Sequence, residues 1–212
     1  MTRRESPYGY DHIGSGYIKT RRPDPRLGRI ILDALGSCES VLNVGAGAGA
    51  YEPTEGRVIA VEPSTTMIEQ RSNDAAPVVR ATAEQLPFPD ASFRAGMAIL
   101  TIHHWRDPEA GIAELCRVVR ERIVLLTYDP SSEGFWLVQD YFPEFMKTDR
   151  ESFLAIQDLQ TILGEAEVVP VLIPHDCSDG FLGAYWRRPE AYLDAEVRRG
   201  ISSFSRGADL KA

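Results

Sequence analysis

The chain has 212 residues, 43% of them hydrophobic, which is enough to bury a full-sized core in one domain. Its formal net charge of −8 argues against a nucleic-acid partner, because neutralising phosphates requires a concentrated basic face. Three cysteines at unpatterned spacings favour a reducing cytoplasm over a disulfide framework. No apolar run has transmembrane length, so we expect no membrane association.

Helical and strand-like segments alternate up to residue 127. Apolar residues at helical spacing predict a helix over Leu27–Leu35 that ends at Gly36. Asp107 and Pro108 predict the start of the clearest helix, because aspartate caps helices well and proline suits the first helical position. Predicted strands are 40–44, 57–61, 77–80, 93–100 and 122–127, with a short helix at 65–71. This alternation is typical of a doubly wound α/β domain with a mostly parallel sheet.

Beyond Asp129 the sequence becomes richer in aromatic residues. Helical segments are predicted over 135–145 and 153–163, followed by one more strand over Val168–Pro174. The aromatic side chains would either wall an apolar ligand or form a second hydrophobic cluster. No strand is evident in the tail from Gly180 onwards.

A glycine cluster follows the first predicted strand. Gly45, Gly47 and Gly49 would let the chain turn sharply and let a ligand approach the backbone. The residues fit a G-x-G-x-G pattern and, through Ala50, also the dinucleotide pattern G-x-G-x-x-G/A. A tight turn without a ligand is the third interpretation.

Two neighbouring features narrow this choice. Glu62 ends the second predicted strand, where a carboxylate can accept hydrogen bonds from both ribose hydroxyls of an adenosine. Only residues 45–56, interrupted by Pro53 and Gly56, connect the two strands, which leaves room for at most a turn or two of helix. A pyrophosphate depends on the amino terminus of that helix, whereas S-adenosylmethionine carries no phosphate. The short connection therefore favours S-adenosylmethionine over a nicotinamide cofactor.

Two longer motifs carry a family resemblance. They are Ala83–Phe93, which reads A-E-Q-L-P-F-P-D-A-S-F, and Thr101–Trp105, which reads T-I-H-H-W. Together with the glycine turn and Glu62, they resemble the ubiquinone/menaquinone C-methyltransferase-like (methyltransferase type 11) family over residues 8–129. The resemblance implies a Rossmann-like class I methyltransferase fold with a helical cover, S-adenosylmethionine as cofactor and a small organic molecule as methyl acceptor.

The resemblance also implies which residues hold the methionine and ribose of the donor. Gly45, Ala46 and Gly47 would line these two moieties at the turn. Glu62 would grip the ribose hydroxyls, and Leu100 would face the methionine through its backbone.

A second group of residues would hold the adenine. Pro63 and Met67 would flank the ring. Thr82 and Ala83 would hydrogen-bond its edge, by side chain and by backbone amide, and Thr82 replaces the Asp or Asn that is usual in the family.

The resemblance extends to the amino-terminal segment and to the first strand. Tyr17 and Arg21 would close over the donor, with Arg21 clamping its carboxylate. Asn43 stands where the family usually has an acidic residue, so a neutral acceptor would meet the donor's ammonium. No seventh, antiparallel strand is evident, so the expected fold lacks its last strand.

Two histidines are candidates for acid–base chemistry. His103 and His104 follow the fourth predicted strand, at the sheet edge where ligands bind in such folds. We assign the catalytic role to His104, as a base toward a hydroxyl or amine; packing beneath Trp105 is the alternative for both. No metal site is predicted, because the adjacent residues His175–Cys177 cannot converge on one ion from an extended chain.

The predicted single domain over residues 1–212 has three parts. They are an amino-terminal cover (1–25), a donor-binding core (26–129), and an acceptor-side cover and tail (130–212). The expected function is S-adenosylmethionine-dependent methyl transfer to a small organic molecule, with the acceptor and the oligomeric state left open. The alternatives are an S-adenosylmethionine-binding protein without catalysis, which Asn43 would suit, and an NAD-dependent oxidoreductase, which the short connection disfavours.

Overall fold

A five-stranded sheet forms the centre of the computed structural model, which describes residues 20–206. The strands are β1 (Ser40–Val44), β2 (Arg57–Val61), β3 (Val78–Val79), β4 (Phe93–Ile99) and β5 (Val119–Leu126). All neighbouring strands are parallel, in the order β3-β2-β1-β4-β5. The strand order reverses between β1 and β4, so the carboxyl ends of these strands form the crevice where doubly wound folds bind ligands.

Seven α-helices accompany the sheet within residues 20–206. They are α1 (Pro25–Leu35), α2 (Thr65–Glu69), α3 (Pro108–Val118), α4 (Pro143–Ser152), α5 (Ile156–Leu163), α6 (Ala195–Arg199) and α7 (Ser202–Arg206). The predicted cap of α3 is confirmed, since the Asp107 side chain accepts a hydrogen bond from the Ala110 N–H. In that part of the chain no helix has the length and apolar character needed to cross a membrane.

Two hydrophobic clusters lie on the two faces of the sheet. One joins the buried face of α1, including Leu27 and Ile31, to Val41 of β1. The other joins Leu115 of α3 to Leu42 of the same strand. Successive side chains of a strand point to opposite faces, so β1 contributes to both clusters and is buried along its whole length. The doubly wound α/β prediction is therefore confirmed.

The segment Val168–Pro174 is not a strand, so that prediction is wrong. It has no ladder partner, and the side chain of Leu172 is 87% exposed. Pro170 and Pro174 interrupt the segment, and proline cannot donate to a sheet ladder. Among the described residues β5 is the edge strand on this side of the sheet.

The described residues after β5 contain helices and no further strand. The predicted helical segment at 135–145 is split, because Pro143 starts α4 after a short π-helical turn at Leu137–Tyr141. A third hydrophobic cluster is built around Leu137, Tyr192 and Ile201, with several aromatic side chains packed against it. These aromatic residues therefore contribute to a separate hydrophobic cluster in this part of the chain.

Candidate functional site

The glycine turn lies directly after β1. Gly45, Gly47 and Gly49 have φ angles of 69°, 52° and 94°, in the region that glycine adopts without strain. A Cβ atom at Gly45 would also overlap the side chain of Thr101, which follows β4. Thr101 was not among the predicted site residues, because its contact with the turn depends on strand order.

The connection between β1 and β2 is built from turns. Residues 45–56 contain no helix, which lies within the predicted limit of a turn or two. The backbone N–H groups of Gly45 and Ala46 both donate to the Val61 carbonyl, at 2.9 and 3.0 Å. These bonds fasten the start of the turn to the end of β2.

Glu62 faces the glycine turn from the end of β2. Its side chain is buried, with 6% of the residue's surface exposed. The Gly47 N–H donates to Oε2 at 2.8 Å, and the Ser64 N–H donates to Oε1 at 2.9 Å. The carboxylate is therefore held beside the turn, where a ribose would pass.

Met67 is packed against the other side of the turn. The Ser64 hydroxyl caps α2 by accepting from the Met67 N–H at 3.3 Å, and the Met67 methyl lies 3.2 Å from the Cβ position of Gly47. Pro63 and Thr82 are exposed, whereas Ala83 is buried. Met67 and Glu62 thus meet at Gly47, while the hydrogen bonds predicted for Thr82 and Ala83 stay predictions.

Leu100 has a strained backbone conformation, as does Tyr51 at the end of the glycine turn. Its φ is 52°, which is unusual for a bulky side chain, and its N–H donates to the Leu126 carbonyl at 2.8 Å. The residue comes directly after β4, at the same sheet edge as the glycine turn. The role of its backbone toward the donor's methionine stays a prediction.

A groove of about 1560 Å³ opens next to Leu100. Besides Leu100, its walls include Arg21, His103, His104, Tyr128 and Phe153. His103 stacks on Phe153, with ring centroids 4.1 Å apart, and the two histidine rings are 3.9 Å apart. Neither the glycine turn nor Glu62 lines this groove.

Arg21 is tied to a buried carboxylate. Its Nε donates to Asp179 Oδ1 at 2.6 Å, and Asp179 is only 1% exposed. The Tyr51 hydroxyl donates to the other oxygen of Asp179 at 2.8 Å, and burial raises the pKa of Tyr51 well above its usual value. The carboxylate clamp proposed for Arg21 stays a prediction, and Tyr17 lies outside the described residues.

Asn43 is buried at the end of β1. Its Nδ2 donates to Glu52 Oε1 at 3.1 Å, and Glu52 forms a salt bridge with Arg71 at 2.7 Å. Arg71 in turn donates to the Gly47 carbonyl at 3.1 Å. Nothing in the local sequence pattern singled out Glu52, Arg71 or Tyr51, since their partners are distant in the chain.

The run His175–Cys177 has a structural role. Asp176 pairs with Arg26 at 2.7 Å, and the buried thiol of Cys177 has its pKa raised to about 11 by burial. Within residues 20–206, no group of three or more His, Cys, Asp or Glu residues could hold a metal ion.

These features fit S-adenosylmethionine. The turn exposes glycine backbone without an adjoining helix, so it offers no helix amino terminus to a pyrophosphate. The buried carboxylate of Glu62 is positioned to accept hydrogen bonds from a ribose.

Comparisons with known proteins agree with this geometry. A family model described as a methyltransferase domain, Methyltransf_11, matches residues 42–126. A crystal structure described as "Putative methyltransferase from antibiotic biosynthesis pathway", from Anabaena variabilis, is 38% identical, with a TM-score of 0.81. That alignment covers 90% of this chain and 82% of the Anabaena chain.

Two curated relatives match the core of the chain. The uncharacterized methyltransferase YcgJ of Bacillus subtilis is 32% identical over 115 residues, which are 49% of this chain and 42% of YcgJ. A 2-methyl-6-phytyl-1,4-hydroquinone methyltransferase of Oryza sativa is 31% identical over 123 residues, covering 52% of this chain and 35% of the rice protein. The chain thus spans less than half the length of these two relatives.

The sheet, the glycine turn and Glu62 define a Rossmann-like class I methyltransferase fold. With the comparisons, the chain belongs to the methyltransferase type 11 family of S-adenosylmethionine-dependent methyltransferases. Its cofactor is S-adenosylmethionine.

Proposed function

We propose that this chain transfers the methyl group of S-adenosylmethionine to a small organic molecule. The observation that carries the proposal is the placement of the buried Glu62 carboxylate 2.8 Å from the Gly47 nitrogen, beside a glycine turn without a helix. In the proposal, residues 26–129 bind the donor, while residues 1–25 and 130–212 form the covers. A cytoplasmic location and the absence of a nucleic-acid partner belong to the same proposal.

At the turn, Gly45, Ala46 and Gly47 would line the methionine and ribose of the donor. Glu62 would accept from the ribose hydroxyls, and the strained backbone of Leu100 would face the methionine. The bound cofactor supplies the electrophilic methyl group.

The adenine would lie between this turn and the segment after β3. Met67 would pack against the ring from its buried position beside Gly47, with Pro63 at the rim. Thr82 and Ala83 would contact the adenine edge. Packing of an apolar side chain suits the flat ring, because burying its faces contributes favourable free energy.

The acceptor would enter the groove lined by Leu100, His104, Tyr128 and Phe153. Methyl transfer is an in-line displacement, so holding the acceptor collinear with the methyl carbon supplies much of the rate. His104 would accept the proton that a hydroxyl or amine acceptor loses. The ring of Phe153, stacked on His103, gives this part of the groove an apolar wall.

The names of two relatives support a small acceptor. The rice relative is named for a hydroquinone, and the Anabaena structure is described as part of an antibiotic biosynthesis pathway. Both descriptions concern those proteins, and they guide the choice of acceptors for a substrate panel.

Calorimetric titration tests the donor site. We expect heat of binding with S-adenosylmethionine and with S-adenosylhomocysteine, and none with NAD. Glu62→Gln should weaken binding on the order of tenfold to a hundredfold, because it replaces one of two accepting oxygens, which also hold the Gly47 and Ser64 N–H groups, by a donor. Glu55→Gln, an exposed change in the same connection, is the matched control. Binding of NAD in place of S-adenosylmethionine would overturn the proposal.

Transfer of a labelled methyl group to phenolic, quinol and amine compounds tests the reaction. For an acceptor that loses a proton, His104→Gln should lower kcat about a hundredfold and leave donor affinity unchanged. His103→Gln, which changes the stacked neighbour, should have the smaller effect on kcat. Equal losses in the two variants would remove the special role of His104.

A further inference from the structure

A buried ion pair lies behind the glycine turn. The side chains of Glu52 and Arg71 are 7% and 5% exposed, and their charged atoms are 2.7 Å apart. Removing two such charges from water is costly unless their other hydrogen-bonding atoms are satisfied as well. The contacts of both groups therefore indicate what the pair holds in place.

Glu52 is an acceptor for three different parts of the chain. Arg71 Nη2 donates to both carboxylate oxygens, at 2.7 and 2.9 Å. The backbone N–H of Ala76 donates to Oε2 at 2.9 Å, and Asn43 Nδ2 donates to Oε1 at 3.1 Å. Arg71 also donates to the carbonyls of Gly47 and Ala76. The pair thus joins the end of β1, the glycine turn and the loop before β3.

This arrangement fixes the orientation of the Asn43 amide. An ionised carboxylate only accepts, so the amide must turn its NH₂ group toward Glu52 and its Oδ1 away from it. No hydrogen bond to Oδ1 occurs among the residues that the structure describes. Oδ1 thus keeps its acceptor capacity at the carboxyl end of β1, directly before the turn.

We propose that Glu52, held by Arg71, is a positioning residue that makes Asn43 present its carbonyl oxygen to the ammonium of the donor's methionine. The inference rests on the donor site proposed above. It explains how a neutral residue serves where the family resemblance implies an acidic one: the Glu52 carboxylate lies behind Asn43 and orients its neutral acceptor. A carboxylate at position 43 would instead meet that of Glu52.

The consequence of Glu52→Gln follows from the donor and acceptor atoms that a glutamine side chain has. Gln has one accepting oxygen and one donating nitrogen, so it cannot accept from both Asn43 and the Ala76 N–H. The backbone N–H of Ala76 is fixed, whereas the Asn43 amide can rotate. The variant should therefore invert that amide and turn its NH₂ group toward the ammonium.

The test measures two ligands by calorimetry on the full chain. S-adenosylhomocysteine carries the amino-acid group, and 5′-methylthioadenosine has the adenosine and sulfur without it. Glu52→Gln should weaken binding of S-adenosylhomocysteine about tenfold and change that of methylthioadenosine less than about twofold. Glu121→Gln, which removes the partner of Arg94 at the opposite end of the sheet, should change neither.

A double variant that moves the carboxylate from position 52 to position 43 should restore binding of S-adenosylhomocysteine. In Asn43→Asp/Glu52→Gln the amide of the new glutamine can donate to the new aspartate, whose second oxygen then faces the ammonium. This double variant should bind S-adenosylhomocysteine within about threefold of the parent chain. Asn43→Asp alone sets two buried carboxylates against each other and should unfold at a lower temperature than the double variant.

The outcomes distinguish a failure of the positioning role of Glu52 from a failure of the proposed donor site. Equal weakening of both ligands by Glu52→Gln, or a double variant that binds no better than Glu52→Gln, overturns the positioning role. If Glu52→Gln does not fold, the melting temperatures of Asn43→Asp and the double variant decide, and equal values overturn the inference. A parent chain that binds neither ligand overturns the donor site itself, and the positioning role with it.

Discussion

Both the backbone conformation and the surroundings of Gly45 exclude a side chain. Its φ of 69° suits only glycine without strain, and the Thr101 side chain fills the space that a Cβ would need. The sequence identified this glycine through its spacing from β1. It did not identify the Thr101 contact, because a local pattern does not show which strand end lies alongside.

Gly45→Ala should therefore destabilise the chain by about 3 kcal/mol, from left-handed strain plus steric overlap. Gly134→Ala is the matched control, because its φ is 98° and nothing lies within 4 Å of its Cβ position. The control should lose only about 1 kcal/mol. Urea unfolding measures the loss of stability in both variants. Equal losses would show that the Thr101 side chain moves aside at no cost in free energy.

Asp24 makes the stability of the fold depend on pH. Its carboxylate is fully buried and accepts from the Arg26 side chain and from the Ser178 N–H. The hydrogen bond from Arg26 holds the pKa of Asp24 well below its usual range. A lowered folded-state pKa adds stability above the unfolded value of about 4, and this stability is lost as the pH falls further.

Asp24→Asn should remove that dependence. Between about pH 4 and pH 2, the free energy of unfolding should fall less steeply in the variant than in the parent chain. Asp33→Asn, an exposed change on the same helix, should keep the steep fall. Urea unfolding at several pH values measures the slopes; parallel curves for parent and Asp24→Asn would contradict the assignment.

At the scale of elements, the sequence predicted those whose signals are local. Strands β1 and β2 have the predicted bounds, because each is a mostly apolar run that ends at a glycine or at Glu62. Helix α3 begins where its cap residue predicted. The strand predicted at Val168–Pro174 failed because a run of apolar residues does not specify a pairing partner, and Pro170 and Pro174 lack ladder donors.

The cap of α3 yields a prediction at this scale. Asp107→Ala removes the acceptor for the Ala110 N–H, a bond of 3.0 Å, and should cost about 1 kcal/mol. Glu109→Ala, in the first turn of the same helix, should cost only about 0.3 kcal/mol through the helix dipole. Thermal unfolding distinguishes the two variants. A loss of stability in Glu109→Ala as large as in Asp107→Ala would contradict the capping role of Asp107.

At the scale of the whole molecule, polar contacts link distant segments. Tyr51, next to the glycine turn, bonds to Asp179, 128 positions away, and the Asp24 N–H donates to the Tyr51 hydroxyl at 3.2 Å. Sequence patterns predicted the glycine turn and Glu62, because each directly follows a predicted strand. They could not predict the partner of Tyr51, because no local period relates two single polar residues in separate segments.

Tyr51→Phe should cost about 1–3 kcal/mol, since it leaves a buried carboxylate one donor short. It should also speed limited proteolysis between residues 165 and 180, because the hold on this segment is weakened. Tyr141→Phe, at a side chain that is 68% exposed, is the matched control. Unchanged cleavage rates in Tyr51→Phe would contradict the link.

The bond between Tyr51 and Asp179 also orders events during translation. A chain that leaves the ribosome from its amino terminus can pair all five strands once Leu126 has emerged. The bond that secures the end of the glycine turn must wait until Asp179 follows. A nascent chain arrested between these two positions should therefore hold a finished sheet and a turn fastened to Val61 and Arg71, with the Tyr51 hydroxyl still lacking its Asp179 acceptor.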